Sequence, residues 1–333
     1  MIALATGRPG RGSRQASSEF GFSRCAPLND QPENSEYSLE RRGRLHPFAY
    51  VAPVTVEEAV AVLDKHGDRA RPLAGGTDLL VKTRANVWEL DAVVDIKNIP
   101  ELMTVTVGND GLSIGAGVPC YQIYENSEVA AGYPCIVDGT DIIGGIQIQS
   151  RAALGGNLCN AAPSADGVCP LIVHSAVAHI AGPGGNREVA VEDFCTGPSQ
   201  TVLKKGELLV SMSMPKPPAN FGAAYTRFIP RNEMDIAVAG VAVSLVLDPS
   251  GQNFESARIA LASVGPVPIL ATAAGDSLAG KPVNDESIAA AAALARDAAS
   301  PITDMRGTIE QRRQLVEVLT GRMINKAIER ARG

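Results

Sequence analysis

Two glycine-centred stretches, PLAGGTDLL at residues 72–80 and LGGNLCNAAPSAD at residues 154–166, decide how this chain is interpreted. In each, the glycine pair follows an apolar run and precedes polar residues. Glycine lets backbone N–H groups approach a ligand with no Cβ in the way, and successive N–H groups in such a turn can bind an anion. One such turn is usually a plain corner between a strand and a helix. Two turns from separate parts of a fold could hold the pyrophosphate of a dinucleotide between them.

Polar residues in both stretches suit the same ligand. Thr77 and Asp78 are predicted to open a helix, whose first amides would add donors for phosphate. The side chains of Asn157, Asn160 and Asp166 can hydrogen-bond ribose, phosphate or ring edges. The sequence indicates neither a Rossmann site nor a P-loop, because neither stretch is G-x-G-x-x-G and no G-x-x-x-x-G-K-[ST] occurs.

The composition is that of a soluble globular protein with two or three compact units. The chain has 333 residues, of which 45% are hydrophobic and 20% charged, and its net charge is −6. This charge gives no reason to expect binding to nucleic acid or to an anionic membrane. No run approaches the roughly 18 apolar residues of a transmembrane helix, and the first twenty residues lack the apolar centre of a secretion signal. A cytoplasmic protein is predicted.

The cysteines and histidines predict no metal site and no catalytic group. The six cysteines have no C-x-x-C spacing and no histidine at ligand spacing beside them, so buried reduced thiols are expected; they are Cys25, Cys120, Cys135, Cys159, Cys169 and Cys195. His174 and His179 lie in the apolar stretch LIVHSAVAHI, which favours buried histidines with satisfied hydrogen bonds over a catalytic base.

The pattern of elements predicts an α+β protein. Residues 1–45 are predicted to be a disordered tail, with an over-called gene start and a regulatory arm as the alternatives. From residue 46 a helix capped by Thr55 and closed by Gly67 is predicted first. A short strand in RARPLA, the start of another helix in TDLLVKTR and a buried strand in AVVDI at 92–96 follow, which is a β-α-β alternation. TVTV, GNDG and LSIGAGV, from residue 104, predict a hairpin, and a helical stretch is expected around 128–143.

The prolines of MPKPPANFG at residues 214–222 mark a predicted domain boundary. Beyond it, AAYTRF, IAVAGVAVSLVLD and SARIALASVG predict a three-stranded antiparallel sheet. Two helices complete the C-terminal domain, which is predicted to span residues 223–331.

The motifs resemble a known family in their order and spelling. AGGTDLL and RAALGGNLCNAAPSAD, followed by VEDFCTGPSQTVLKKGELL and RNEMDIAVAGVAV, are similar to the medium, FAD-binding subunit of molybdenum hydroxylases, such as aerobic carbon monoxide dehydrogenase and xanthine dehydrogenase. The resemblance extends from about residue 46 to the C-terminus. It implies a two-lobed FAD-binding domain of the vanillyl-alcohol-oxidase type over 46–220, with a small α/β lobe at 46–100 and a larger lobe at 101–220, before the C-terminal α+β domain.

The resemblance also implies which residues contact FAD. Those that would hold the pyrophosphate from two sides are Leu73, Ala74, Gly75, Gly76, Thr77, Asp78, Ala153, Gly155, Gly156 and Asn157. Those implied for the remainder of the cofactor are Asn160, Asp166 at the ribityl or ribose region, Leu209 at the adenine or ring end, Arg227, and Asp235 with Ile236 beside the isoalloxazine. No catalytic residue and no metal ligand is implied.

Three positions depart from the family pattern. Ala153 replaces a threonine or serine that would donate a hydroxyl to phosphate, which costs about 1 kcal/mol. Arg227 stands where lysine is common, and it keeps the charge but changes the geometry. Cys195 replaces an aromatic residue. The four-cysteine insert of relatives similar to 4-hydroxybenzoyl-CoA reductase is missing between Cys120 and Cys159, so no iron is predicted.

The implied function is electron transfer within a complex. Substrate would be oxidised at the molybdenum cofactor of a large subunit. Electrons would pass through two-iron two-sulfur clusters of a small subunit to FAD in this chain and then to an external acceptor. The resemblance implies a dimer of heterotrimers. The alternatives are a self-contained FAD oxidase and a flavin-binding protein without redox turnover.

Overall fold

The structure, a computed structural model, describes residues 46–231 and 233–333. Its first elements are β1 (Ala49–Val51), α1 (Val56–His66), β2 (Ala70–Leu73), α2 (Leu79–Arg84) and β3 (Ala92–Asp95). The three strands form a parallel sheet in the order β1-β3-β2. The predicted β-α-β alternation is β2, α2 and β3, whereas strand β1 was not predicted. The predicted tail at residues 1–45 lies outside the described residues.

Helix α1 has the ends that its sequence predicts. The Thr55 side chain accepts a hydrogen bond from the N–H of Glu58 at 3.2 Å, and the N–H of Val54 donates to the Glu58 carboxylate at 3.0 Å. Gly67 follows the helix with a φ of 54°, and its N–H donates to the carbonyl of Leu63. The apolar face of α1 packs on β2 and β3 of the parallel sheet.

The central part of the chain forms a second sheet and a group of helices. Its strands are β4 (Val105–Gly108), β5 (Gly111–Gly115), β6 (Val177–Gly182), β7 (Gly185–Ala190), β8 (Cys195–Gly197), β9 (Gln200–Thr201) and β10 (Leu208–Pro215). Five of them form an antiparallel sheet in the order β4-β5-β10-β6-β7, and β8 pairs with β9. The helices are α3 (Cys120–Tyr124), α4 (Ser127–Gly132), α5 (Pro134–Thr140), α6 (Ile146–Gln149), α7 (Leu154–Asn160) and α8 (Val168–Val173).

The hairpin predicted from residue 104 is confirmed as the antiparallel pair of β4 and β5. The helical stretch expected around 128–143 is two helices, because Pro134 lacks an N–H and starts a new helix after α4. Short 3-10 helices complete the first two parts of the chain, at Gly67–Arg69, Ile96–Asn98, Pro100–Leu102 and Val191–Asp193.

The C-terminal part contains a third sheet, with four strands where the sequence predicts three. Its elements are β11 (Phe221–Phe228), β12 (Ala239–Leu247), β13 (Phe254–Ala262), β14 (Ile269–Leu270), α9 (Thr272–Asp276), α10 (Asp285–Ala298) and α11 (Ile309–Arg332). The sheet is antiparallel in the order β11-β12-β13-β14. Strand β14 has only two residues, too few to produce the alternation by which strands are predicted.

The second and third sheets share one hydrophobic core. Tyr225 and Ala242 of the third sheet pack in the same cluster as Ile114 and Met212 of the second. Helix α11 is tied to α5 by Arg330, whose guanidinium donates to both oxygens of Asp138 at 2.6 and 2.9 Å. These contacts hold β11 in place beside α5 and α8. No helix within the described ranges is both long and apolar enough to cross a membrane.

The two histidines of LIVHSAVAHI differ from their prediction in different ways. His174 is buried, between the rings of Tyr133 and Phe221 at 5.5 and 5.3 Å, but its Nε2 has no partner among the described residues. His179 is one-third exposed on the sheet, where its Nε2 lies 2.7 Å from the Ser213 hydroxyl. Burial lowers the pKa of His174 to about 4, so the ring is neutral at physiological pH.

We expect His174 to make the protein sensitive to acid. Its pKa is about 4 in the folded chain, whereas the pKa of an unperturbed imidazole is 6.5. The unfolded chain therefore binds the extra proton between these values, and stability falls by up to about 3 kcal/mol as pH drops through this window. His174→Phe should remove most of this loss in urea unfolding at about pH 7.5 and about pH 5. His46→Phe, at an exposed histidine, is the control and should keep the pH dependence of the wild type. If the stability of His174→Phe falls with acid as much as that of this control, His174 is not the source of the acid sensitivity.

Candidate functional site

The first glycine turn, residues 74–78, connects β2 to α2. Gly76 has a φ of 79°, a left-handed conformation that glycine adopts without strain. Helix α2 begins at Leu79, so the predicted start at Thr77 is two residues early, and the Asp78 side chain makes no capping hydrogen bond. Within residues 46–231 and 233–333, no protein acceptor faces the backbone N–H groups of Gly75, Gly76, Thr77 or Asp78. The turn therefore offers several free donors.

The second glycine pair lies in the first turn of helix α7, where the sequence predicts a turn without a helix. Glycine is unfavourable in helices, but here close packing requires it, because a Cβ on Gly155 would lie 2.5 Å from the carbonyl oxygen of Ala116. A Cβ on Gly156 would meet only the Cβ of Ala153, at 4.0 Å. Gly156 therefore borders open space that a ligand can occupy. Ala153, at the N-cap, has no side chain that could cap the helix.

The structure brings the two glycine stretches into contact. A Cβ on Gly75 would lie 1.8 Å from the carbonyl oxygen of Arg151, so the first turn rests directly on the backbone before α7. A second link joins the helices that follow, because Lys82 Nζ of α2 donates to Asn160 Oδ1 of α7 at 2.6 Å. The segments that carry the free amides of the first turn and Gly156 of α7 are thus in contact with each other.

A buried ion pair lies beside α8. The Asp166 carboxylate accepts hydrogen bonds from the Arg227 guanidinium and, at 2.8 Å, from the Tyr225 hydroxyl. The side chains of Asp166 and Arg227 are 8% and 7% exposed. Burial raises the pKa of Asp166 to about 6, against the opposing effect of Arg227, so the carboxyl group is ionised at neutral pH. The sequence indicated Asp166 and Arg227 separately, and it did not indicate Tyr225.

Asn157 and Leu209 make contacts within the protein. Asn157 Oδ1 accepts from the N–H of Gly167 at 3.0 Å, which fixes the chain just before α8. Its amide nitrogen remains a possible donor to a ligand. Leu209, on β10, is 2% exposed and packs in the large core, so its side chain presents almost no surface to a ligand.

Asp235 and Ile236 lie in the loop between β11 and β12. Asp235 accepts from the backbone N–H of Arg231 at 2.8 Å and from its Nε at 2.7 Å, and these bonds lower the pKa of Asp235. Ile236 is 50% exposed. The neighbouring Met234 reaches a third glycine pair, since a Cβ on Gly145 would lie 3.0 Å from the Met234 sulfur. This third glycine pair is visible in the sequence as IIGGIQ at residues 142–147, but it was not predicted as part of the site.

The cysteines near the site are poor nucleophiles. The five cysteines of the described residues form no disulfide. Desolvation raises the pKa of Cys159 to about 12 and that of Cys195 to about 11, so both thiols are protonated at neutral pH. Among the same residues, no group of three or more His, Cys, Asp or Glu side chains is arranged to hold a metal ion.

Comparison with known proteins shows the family of this chain. Residues 46–217 match the family described as the FAD binding domain in molybdopterin dehydrogenase. The chain belongs to this family. Residues 224–327 match the CO dehydrogenase flavoprotein C-terminal domain. The predicted family and the predicted cofactor, FAD, are both confirmed, and the chain is a subunit of an oxidoreductase.

Relatives are similar along almost their whole length. The xanthine dehydrogenase FAD-binding subunit of Escherichia coli O157:H7 is 31% identical over 287 residues, which cover 86% of this chain and 97% of that protein. The carbon monoxide dehydrogenase medium chain of Afipia carboxidovorans is 32% identical over 285 residues, covering 86% and 98%. Among solved structures, CO dehydrogenase from Oligotropha carboxidovorans is similar with a TM-score of 0.82 and 32% identity, covering 86% of this chain and 99% of that one.

FAD fits the residues that the structure brings together. Its pyrophosphate is an anion, the first glycine turn supplies free amides and contacts the backbone before α7, and Gly156 in the first turn of α7 borders open space. The mixed α and β architecture is likewise that of the similar medium chains.

Proposed function

We propose that this chain carries FAD as the electron-transfer subunit of a molybdenum-containing dehydrogenase complex. In this role it accepts electrons from iron-sulfur clusters of a partner subunit and passes them to an external acceptor. The observation that carries the proposal is the contact of Gly75 with the backbone of Arg151, which joins both glycine stretches into one site in a family of FAD-binding domains. The nearly complete coverage of medium chains of carbon monoxide dehydrogenase supports the same role.

The proposed division of labour leaves the chemistry to the cofactor. When bound, FAD can take electrons singly from a cluster and release them in pairs. The residues from Leu73 to Asp78 and those around Ala153 to Asn157 hold the pyrophosphate, with Gly156 leaving the space that it needs. Asn160 and Asp166 border the remainder of the cofactor. Asp235 and Ile236, on their exposed loop, limit access of water and acceptor to the ring.

The finer architecture forms part of the proposal. Residues 46–220 form an FAD-binding domain of the vanillyl-alcohol-oxidase type, with lobes at 46–100 and 101–220, and residues 223–331 form the C-terminal domain. The parallel sheet of β1 to β3 and the antiparallel sheet of β4 to β10 support the two lobes. The complex contains a large molybdopterin-binding subunit and a small two-iron two-sulfur subunit as a cytoplasmic dimer of heterotrimers.

Purification of the tagged chain from its own cells tests the proposed role. We expect bound FAD, a co-purifying polypeptide with the electron paramagnetic resonance signal of two-iron two-sulfur clusters, and a larger polypeptide with molybdenum. The flavin absorbance should bleach when the substrate of the complex is added to the assembly. The isolated chain with FAD should show no bleaching with the same substrate.

Two results would overturn the proposal. Bleaching of the flavin in the isolated chain by an organic substrate, with oxygen consumption, would indicate a self-contained oxidase. A chain that binds FAD yet co-purifies with neither iron nor molybdenum would indicate a flavin-binding protein of another role.

A further inference from the structure

Lys82 lies between the two glycine stretches, although the sequence did not indicate it as a site residue. It is on α2, directly after the first turn, and its backbone N–H donates to the carbonyl of Asp78 at 3.0 Å. Its Nζ donates to Asn160 Oδ1 on α7 at 2.6 Å and lies 4.9 Å from the centre of the Trp88 ring. The ammonium group is therefore held where α2 meets α7.

No salt bridge neutralises the charge of Lys82 within residues 46–231 and 233–333. Among the described residues no carboxylate lies within 4.0 Å of its Nζ. Lys97 differs from Lys82 in this respect. Its Nζ also reaches the first turn, where it donates to the carbonyl of Ala74 at 3.2 Å, but its charge is neutralised by the Asp95 carboxylate at 2.5 Å. A partly buried cation whose neighbours are an amide and an aromatic ring lacks the counter-charge that most such groups have.

We propose that Lys82 supplies the positive charge that binds the pyrophosphate of FAD. This inference rests on the proposed site at the two glycine stretches and adds a residue to it. The free amides of the first turn offer dipoles but no net charge, whereas the pyrophosphate is doubly negative. An ammonium group has three donors, so Lys82 can keep its bond to Asn160 and also donate to a phosphate oxygen. Trp88 and Asn160 hold the side chain in place before the cofactor arrives.

Lys82→Met should weaken FAD binding by about ten- to hundredfold, the effect of one hydrogen bond to a charged group. The full-length chain is stripped of flavin with bromide, and the dissociation constant of FAD is measured by flavin fluorescence. Salt dependence is the decisive readout, because a purely structural role of Lys82 would not affect it. Between about 0.05 M and about 0.5 M NaCl, the wild type should lose affinity and Lys82→Met should lose much less.

Two further variants complete the experiment. Arg84→Met removes a cation from the exposed end of the same helix and should keep wild-type affinity and salt dependence. Lys82→Arg keeps the charge and should recover most of the affinity and the salt dependence, even if Lys82→Met folds poorly.

The outcomes separate this inference from the proposed function. If the wild type binds FAD and its affinity is independent of salt, the assignment of Lys82 is overturned while the proposed function stands. The same holds if Lys82→Met and Arg84→Met behave alike at both salt concentrations. If the wild type binds no FAD, both proposals fail.

Discussion

Gly75→Ala should yield a chain that purifies without FAD. The added Cβ would lie 1.8 Å from the carbonyl oxygen and 2.4 Å from the carbonyl carbon of Arg151. Both are backbone atoms, so they cannot move aside as the end of a flexible side chain would. The first glycine turn must therefore shift away from the chain before α7, and the two groups of donors separate.

The expected loss of FAD affinity is at least about a hundredfold, since two or more hydrogen bonds to a charged phosphate are lost together. Overpacking at this contact should also lower the free energy of unfolding by about 1–3 kcal/mol. Flavin content is measured from the absorbance released on denaturation, and the free energy of unfolding by urea titration. Gly132→Ala is the control, because a Cβ there meets nothing within 4 Å.

Gly156→Leu separates the two ways in which FAD can be lost. A Cβ at this position clashes with no protein atom, and leucine is a better helix former than glycine, so the chain should fold at least as well as wild type. It should nevertheless lose FAD, because the side chain enters the space that the pyrophosphate occupies. If both Gly75→Ala and Gly156→Leu retain full flavin, the pyrophosphate does not lie between the glycine stretches.

The sequence predicted most elements of the fold through local signals. The capping residues of α1 and the hairpin of β4 and β5 depend on neighbours a few positions away, and both have the predicted form. The helix at Gly155 and Gly156 was missed because its stability comes from packing on Ala116, which overrides the low helix propensity of glycine. Strand β14 was missed because two residues carry no periodicity.

The candidate site was harder to predict because its contacts join distant parts of the chain. The sequence motifs identified the residues of both glycine stretches. They did not predict that Gly75 contacts Arg151 or that Lys82 donates to Asn160. Family resemblance likewise indicated Asp166 and Arg227 as separate cofactor neighbours. Their pairing depends on the position of β11 beside α8, which only the packed structure determines.

The pair of Asp166 and Arg227 gives the second large expected effect. Both side chains are less than a tenth exposed, so removal of either partner leaves an uncompensated buried charge. Arg227→Met should lower the free energy of unfolding by about 3–5 kcal/mol near neutral pH. Arg69→Met is a matched control, since Arg69 also donates two hydrogen bonds to an aspartate, Asp91, but both side chains are about half exposed, at 54% and 44%, and the change should cost less than about 1 kcal/mol.

The pH dependence identifies the responsible group. The pKa of Asp166 is about 6 in the folded protein, above its ordinary value of 3.8, and loss of Arg227 should raise it further. A group whose pKa is raised by folding destabilises the protein as pH rises through the folded pKa. The free energy of unfolding of Arg227→Met should therefore be larger at about pH 5 than at about pH 8. His174 alone would have the opposite effect, because its protonation lowers stability at acid pH.

A second substitution tests whether the buried charge is the cause. In the Arg227→Met background, Asp166→Asn removes the negative charge while the amide can still accept from Tyr225, so most of the lost stability should return. The interaction of the two residues is the stability cost of the double variant minus the summed costs of Arg227→Met and of Asp166→Asn alone, each measured by urea unfolding at each pH. If Arg227→Met costs no more than Arg69→Met, or if Asp166→Asn restores nothing, the pair does not stabilise this part of the fold.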